Sequence, residues 1–262
     1  MRLHIISIIK NGQPWVERHL PIFEATGLDW TWHISEGTAD NVLDTSWCAK
    51  PEPGLSTDGT TAYLNSISTH PRVRLYRKDL WAGKLEMIQA SRPYIGSDCV
   101  VFTVDVDEEW RSEDIVKMVR AFERKHQIMS ARFWCTFLLG PKIKAVTQSG
   151  WSNRPTEWHR MWRGRKSARW QSHEPPVYDS NRGLIMDRDE TKALGIQFLH
   201  HAYELRSQLV TKERSYQYPG AVAQWESLQK NTKWPLENLS DYLSWVGPNV
   251  GADIYTGPEQ PQ

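Results

Sequence analysis

The chain predicts an α/β fold: a mostly parallel sheet flanked by helices, followed by a helical C-terminal part. Three observations predict it. Strand and helix signals alternate through residues 3–122, as a parallel sheet with right-handed crossovers requires. Residues 99–104 (Cys-Val-Val-Phe-Thr-Val) form an apolar run, the pattern of a strand covered on both faces. From Asp187 onward the periodicity is helical.

The elements follow in order. Residues 3–9 read as a buried strand that closes in a turn at Asn11-Gly12. Val16, Leu20 and Phe23 recur at helical spacing. Residues 30–35 form a second strand, which Glu36 closes at the edge where ligands bind. After a long loop, Thr60-Thr61 opens a helix over 60–69 that buries Tyr63, Leu64 and Ile67. Residues 72–76 alternate as a strand, a helix covers 84–92, and the 99–104 strand follows. Ser112 is the expected N-cap of a helix with Ile115, Val116, Val119 and Phe122 inside. Residues 127–139 read as a strand. Residues 140–183 are rich in Pro, Gly, Arg and Trp with little periodicity, the signature of a functional or mobile loop. Helices are expected at 187–194, 203–217, 221–230 and 236–245, and a disordered tail at the end. The organisation is thus an α/β half at 1–140, a loop-and-helix part at 141–250 and a tail at 251–262.

Composition narrows the function classes. Lys plus Arg number 32 against 31 acids, a net charge of +1, so no global electrostatic case exists for nucleic acid or a membrane surface. The apolar N-terminal stretch is too short to span a bilayer and lacks a cleavage-type region; no transmembrane segment is expected. Cys48, Cys99 and Cys135 form neither a disulfide framework nor a zinc pattern, so a reducing, cytoplasmic location is the expectation. Tryptophan stands out with 14 copies, and Trp151, Trp158, Trp162 and Trp170 alternate with arginines. Flat aromatic faces pack against the C–H faces of sugars, so at least one of these is expected to touch a sugar.

Asp105 and Asp107 end the 99–104 strand. A buried strand cannot carry two carboxylates into its core, so they belong where the strand leaves the sheet. In an extended segment residues i and i+2 face one side, and two hard oxygen donors suit Mg²⁺ or Mn²⁺ carrying a diphosphate. Standing alone, an Asp-x-Asp is more often a solvated acidic turn. Its company adds weight: the helix opening at 56–60 (Ser-Thr-Asp-Gly-Thr), Glu36, the pair His173-Glu174, and His200-His201.

In this order the motifs resemble the GT-A glycosyltransferases, family 2 in particular. The matching residues are Lys10-Asn11-Gly12, Ser56-Thr57-Asp58-Gly59-Thr60, Trp81-Ala82-Gly83-Lys84 and Asp105-Val106-Asp107. Downstream, Arg160-Met161-Trp162-Arg163 with Trp170-Gln171-Ser172-His173-Glu174 looks like the Arg-x-Phe-Arg and His-Glu element of lipopolysaccharide-type members. His200-His201-Ala202-Tyr203 with the 212–216 segment resembles their C-terminal part. One departure is an insertion over 37–55, which leaves the acid contacting the base open among Glu36, Asp40, Asp44 and Asp58.

The resemblance implies transfer of a sugar from a nucleotide-diphosphate donor, a UDP-sugar by preference, to a hydroxyl acceptor with inversion. It implies Mn²⁺ or Mg²⁺ on Asp107 and Asp105, with His201 or His200 as a further ligand. Lys10, Asn11, Glu36, Asp58, Lys84, Asp105, Arg160, Arg163 and Trp170 would contact the donor. Glu174 would be the base, with His173 orienting it or touching phosphate; Asp179 and Glu157 are fallback bases. Three alternatives compete: a DNA-base acceptor, a nucleotide-sugar-forming nucleotidyltransferase, and a non-catalytic sugar-binding protein.

Overall fold

The computed structural model describes residues 1–42, 45–146, 158–165, 170 and 183–257. The strands among them are β1 (Arg2–Ile9), β2 (Trp30–Ala39), β3 (Val73–Trp81), β4 (Cys99–Thr103), β5 (Glu108–Glu109), β6 (Ile128–Arg132), β7 (Trp134–Gly140), β8 (Ile143–Val146), β9 (His159–Arg163), β10 (Leu184–Met186), β11 (Gln197–His200) and β12 (Gly251–Ile254). The helices are α1 (Val16–Ala25), α2 (Thr60–Ile67), α3 (Lys84–Gln89), α4 (Ser112–Arg124), α5 (Arg188–Ala193), α6 (Arg206–Ser215) and α7 (Ala221–Gln229). The chain divides into two compact units: Met1–Trp134 with Trp158–Phe198, and Cys135–Glu157 with Leu199–Gln262.

The first unit is built on a seven-stranded sheet in the order β10-β6-β9-β4-β1-β2-β3. β4, β1, β2 and β3 run parallel, as do β6 and β10, while β9 runs antiparallel between β4 and β6. This is the mostly parallel, helix-flanked α/β sheet that the strand–helix alternation predicts. Pleating sends Leu3, Ile5, Trp30, Trp32, Val100 and Phe102 to one face, all within 1 % of full burial. α1 covers that face with Phe23 set edge-on to Trp32 at 5.2 Å. The opposite face carries Ile6, Val101 and Trp162, packed against Ile88 of α3.

In the second unit β8 pairs antiparallel with both β7 and β12. Trp225 of α7 donates its indole N–H to the carbonyls of Leu139 (2.6 Å) and Tyr203 (2.8 Å), which anchors the helix to the end of β7.

Several expectations are corrected. β2 continues to Ala39 and β3 to Trp81, because their ladder persists from Trp32↔Val73 to Ala39↔Trp81 across a bulge. The 127–139 strand is two strands, and β9 lies inside the segment read as a loop. Arg111, not Ser112, is the N-cap of α4. The expected helix at 236–245 is only a 3-10 turn at Leu239–Asp241, because Leu236 bridges Ala252 instead. Residues 251–254 of the expected tail are β12. Among the described residues no helix is long and apolar enough to cross a membrane, and Cys99 and Cys135 are buried.

Candidate active site

The carboxyl ends of β1, β2 and β4 meet at one edge of the first unit, where loops supply backbone polar groups that need partners. Residues 56–60 provide them for the loop after β1. Ser56 Oγ accepts Asn11 N–H (3.0 Å), Thr60 Oγ1 accepts Gly12 N–H (2.8 Å), and Asn11 Oδ1 accepts Thr57 N–H (2.8 Å). The Asp58 carboxylate accepts Gln13 N–H (2.9 Å) through one oxygen and Thr60 N–H (3.1 Å) through the other. Lys10 donates to the carbonyls of Gly54 (2.6 Å) and Leu55 (2.8 Å), which ties the 37–55 insertion back to β1. Burial lowers the Lys10 pKa against the opposing pull of Glu36, Asp79 and Asp58. The Ser-Thr-Asp-Gly-Thr segment is therefore a clamp on the Lys10-Asn11-Gly12 loop.

Glu36 is wholly buried. Its carboxylate accepts Arg77 Nε–H (2.7 Å) and the Thr61 hydroxyl, and its backbone carbonyl accepts the Trp81 indole N–H (3.0 Å). That is a correction to its expected place on the donor: both oxygens are engaged inside the protein. Gly37 follows at φ +134, and a Cβ there would stand 1.9 Å from the Lys78 carbonyl, so the chain passes this point only as glycine.

The acid pair lies at the end of β4, but in a turn and not in the extended segment expected. Glu108 N–H bonds to Asp105 O (3.0 Å), so Asp105 to Glu108 span one tight turn. Two side chains hold it from behind. His19 of α1, buried, lies 2.9 Å from Val106 O through Nε2, which must donate because a carbonyl only accepts. Burial lowers the His19 pKa and favours that neutral ring, although the Val106 bond and the Asp107, Glu109 and Asp105 charges pull the other way.

Arg160 of β9 is the second support. Its side chain is 5 % exposed and donates to Asp105 Oδ2 (2.7 Å) and to Glu108, whose side chain is fully buried. Its guanidinium also sits over the Trp158 ring at 5.2 Å. Glu108 accepts the Trp110 indole N–H (3.0 Å), and Trp110 packs against Phe102, Phe133 and Phe198 at 4.5–5.0 Å. Arg160 is thus committed to the acid turn and is not an open grip for donor phosphate, a correction to its expected role. Neither Glu108 nor His19 was singled out by sequence. Glu108 is hidden in a run of acids, and His19 falls on the apolar face of α1, where the spacing of Val16 and Phe23 was the only signal.

Two further residues fall elsewhere. Arg163 pairs with Val100, at the start of β4, about 16 Å along the strand from Asp105 at about 3.3 Å per residue. Its guanidinium donates to Phe122 O, Ile128 O (3.2 Å) and Lys125 O (3.4 Å), closing the C-terminal end of α4. Arg163 is therefore on the wrong edge to hold a donor. Trp170 is 9 % exposed and meets Trp162 edge-on at 5.9 Å in the cluster with Ile6, Ile88, Cys99 and Val101, so it is core and not a sugar platform.

Lys84 is the first residue of α3 and half-buried. His201 belongs to the second unit, where its Nδ1 pairs with Glu204 and its carbonyl accepts from Gln208. His200 packs edge-on against Phe137 at 4.8 Å. His173, Glu174, Asp44, Trp151, Glu157 and Asp179 lie outside the described residues.

Among the described residues no group of three or more His, Cys, Asp or Glu side chains is arranged to hold a metal ion. Asp105, with a side chain 34 % exposed, and half-buried Asp107 still fit Mg²⁺ or Mn²⁺. Such ions commonly use one or two carboxylates and take their remaining ligands from substrate phosphates and water.

No family model matches the chain, and no curated protein matches it. Among solved structures it is similar to mannosyltransferase PcManGT from Pyrobaculum calidifontis in complex with GDP-Man and Mn²⁺: 16% identity, TM-score 0.37, over 53% of this chain and 36% of that one. It is also similar to S. aureus TarS, at 11% identity and a TM-score of 0.45 over 87% of this chain and 42% of that one. TarS 1-349 in complex with UDP-GlcNAc gives 13% identity and a TM-score of 0.40 over 62% and 45%. The chain thus spans less than half the length of each of these three. Similarity at this level bears on neither substrate nor residue roles.

Proposed function

We propose that the chain is a GT-A-type glycosyltransferase that moves a sugar from a nucleotide-diphosphate donor, preferably a UDP-sugar, to a hydroxyl acceptor on a glycan, a lipid-linked saccharide or a similar molecule. The observation that carries this reading is the braced Asp105–Asp107 turn at the carboxyl end of β4, on the sheet edge shared with the Lys10-Asn11-Gly12 loop. Ligands of open α/β sheets bind at that edge.

Asp107 and the free side of Asp105 would hold Mn²⁺ or Mg²⁺, which when bound neutralises the charge that develops on the departing diphosphate. Lys10, on the loop after β1, brings a cation to the same edge, and Asn11 and Asp58 fix that loop's shape. Lys84, at the start of α3, is a phosphate contact in this reading. Glu174 deprotonates the acceptor hydroxyl, with His173 orienting it, and inversion follows if attack comes from the face opposite the leaving group. Burial of Trp162 and Trp170 removes two of the stacking faces that a DNA-base acceptor would use.

The test is release of nucleoside diphosphate from a panel of nucleotide sugars offered with hydroxyl acceptors. Glu174→Gln is expected to bind donor like the wild type and to lose transfer by a hundredfold or more, within the usual ~10²–10⁴ range for a general base. Wild-type turnover in that variant would sink the base assignment.

A further inference from the structure

The acid turn contains more negative charge than a divalent ion needs, and a cation is built into it. Among the described residues Asp105, Asp107 and Glu108 contribute three carboxylates and Arg160 one guanidinium, while the next acid, Glu109, pairs with Arg18 at 3.1 Å. Arg160 touches both Asp105 and Glu108, but the two acids differ in exposure: the Glu108 side chain is fully buried and that of Asp105 is 34 % exposed.

We propose that Glu108 is a positioning residue for the metal site: its buried carboxylate neutralises Arg160, which leaves the charge of Asp105 available to a divalent cation. This inference rests on the metal-dependent reading above and deepens it. Without the Glu108 charge, Asp105 is the carboxylate left on Arg160 among the described residues, and the turn loses one negative charge. A buried cation takes the nearest carboxylate because an uncompensated charge in the interior is costly. Arg160 holds Asp105 by one oxygen, Oδ2, which fixes the side chain without engaging its second oxygen. Trp110 supports the arrangement by donating its indole N–H to the second Glu108 oxygen, which fixes the buried carboxylate in place.

Charge balance and mere packing predict different results. The probe is Mn²⁺ alone, titrated into the full chain and followed by the electron paramagnetic resonance signal of the free ion. Glu108→Gln keeps the shape and removes the charge; it is expected to weaken Mn²⁺ binding at least tenfold. Adding Arg160→Met removes one positive charge and so restores the net charge of the wild type, and the pair Glu108→Gln/Arg160→Met is expected to return to within threefold of the wild type. Circular dichroism confirms that each variant is folded. Wild-type affinity in Glu108→Gln, or no recovery in the folded pair, overturns the proposal. If Glu108→Gln does not fold, the pair decides alone: affinity within threefold of the wild type supports the proposal and a tenfold loss overturns it. A wild-type chain that binds no Mn²⁺ fails differently, because it removes the metal-dependent reading as well.

Discussion

Lowering the pH from about 7.5 to about 5 is expected to remove a large share of the stability of the first unit, through His4 and His33. Both rings are buried on the α3 side of the sheet, His4 Nδ1 lying 2.9 Å from His33 Nε2 and His33 Nδ1 3.0 Å from the Tyr76 hydroxyl. Burial is the main cause that pushes their pKa values down from 6.5, to about 4 for His4 and about 3 for His33. Arg2 and Arg74 lower both further, His4 lowers His33, and Asp29 opposes the shift at His4. Because the folded values are depressed, the unfolded chain takes up protons first. The stability is whole above the unfolded value and is lost as pH falls toward the folded ones.

At 1.5 units below 6.5 each ring costs about 2 kcal/mol, or about 4 kcal/mol for the pair, against a usual total of ~5–15 kcal/mol. His159, lowered to about 4 mainly by burial, acts in the same direction. Urea unfolding at the two pH values measures the loss, and NMR of the imidazole Cε1–H groups assigns it. A titration midpoint near 6.5 for His4 or His33, or stability that does not change with pH, would refute the reasoning.

Two other perturbations follow from the packing. Arg160→Met leaves Glu108 buried without its counter-charge and is expected to cost about 3–5 kcal/mol, lowering Tm by about 10 °C, with much of the loss recovered in Glu108→Gln/Arg160→Met. Thermal unfolding by circular dichroism reads both; a loss under about 1 kcal/mol in the single variant would contradict the buried pair. Trp170→Ala should cost about 3–5 kcal/mol by opening a cavity beside Trp162. Unchanged stability with lost activity would instead return Trp170 to the role of sugar contact.

How far the sequence was legible depended on whether the signal was local. β1 and β4 announce themselves because both faces are covered and apolar residues fall on both, and the acids after β4 mark the sheet edge. β2 beyond Glu36 was not legible: Gly37 and Thr38 read as the start of an insertion, and the Thr38 hydroxyl finds its partners only at the Glu52 and Gly54 carbonyls. β9 was missed for the same reason. His-Arg-Met-Trp-Arg reads as a charged surface, yet each arginine is buried on partners far away in sequence. Leu236, Leu239 and Leu243 stand at helical spacing, which cannot show that Leu236 pairs with Ala252. The same blindness to distant partners hid the division of labour in the site. Asp105 was visible, but the Glu108–Arg160 pair 52 positions apart was not.

The most direct measurement is a thermal-shift comparison of UDP with and without Mn²⁺, on the wild type and on Asp107→Ala. The expected result is an upward shift with UDP that needs Mn²⁺ and disappears in Asp107→Ala, in line with stabilisation by ligand binding to the folded state. A shift of equal size without the metal, or one preserved in Asp107→Ala, would contradict the assignment of the Asp105–Asp107 turn as the seat of a metal-bound diphosphate.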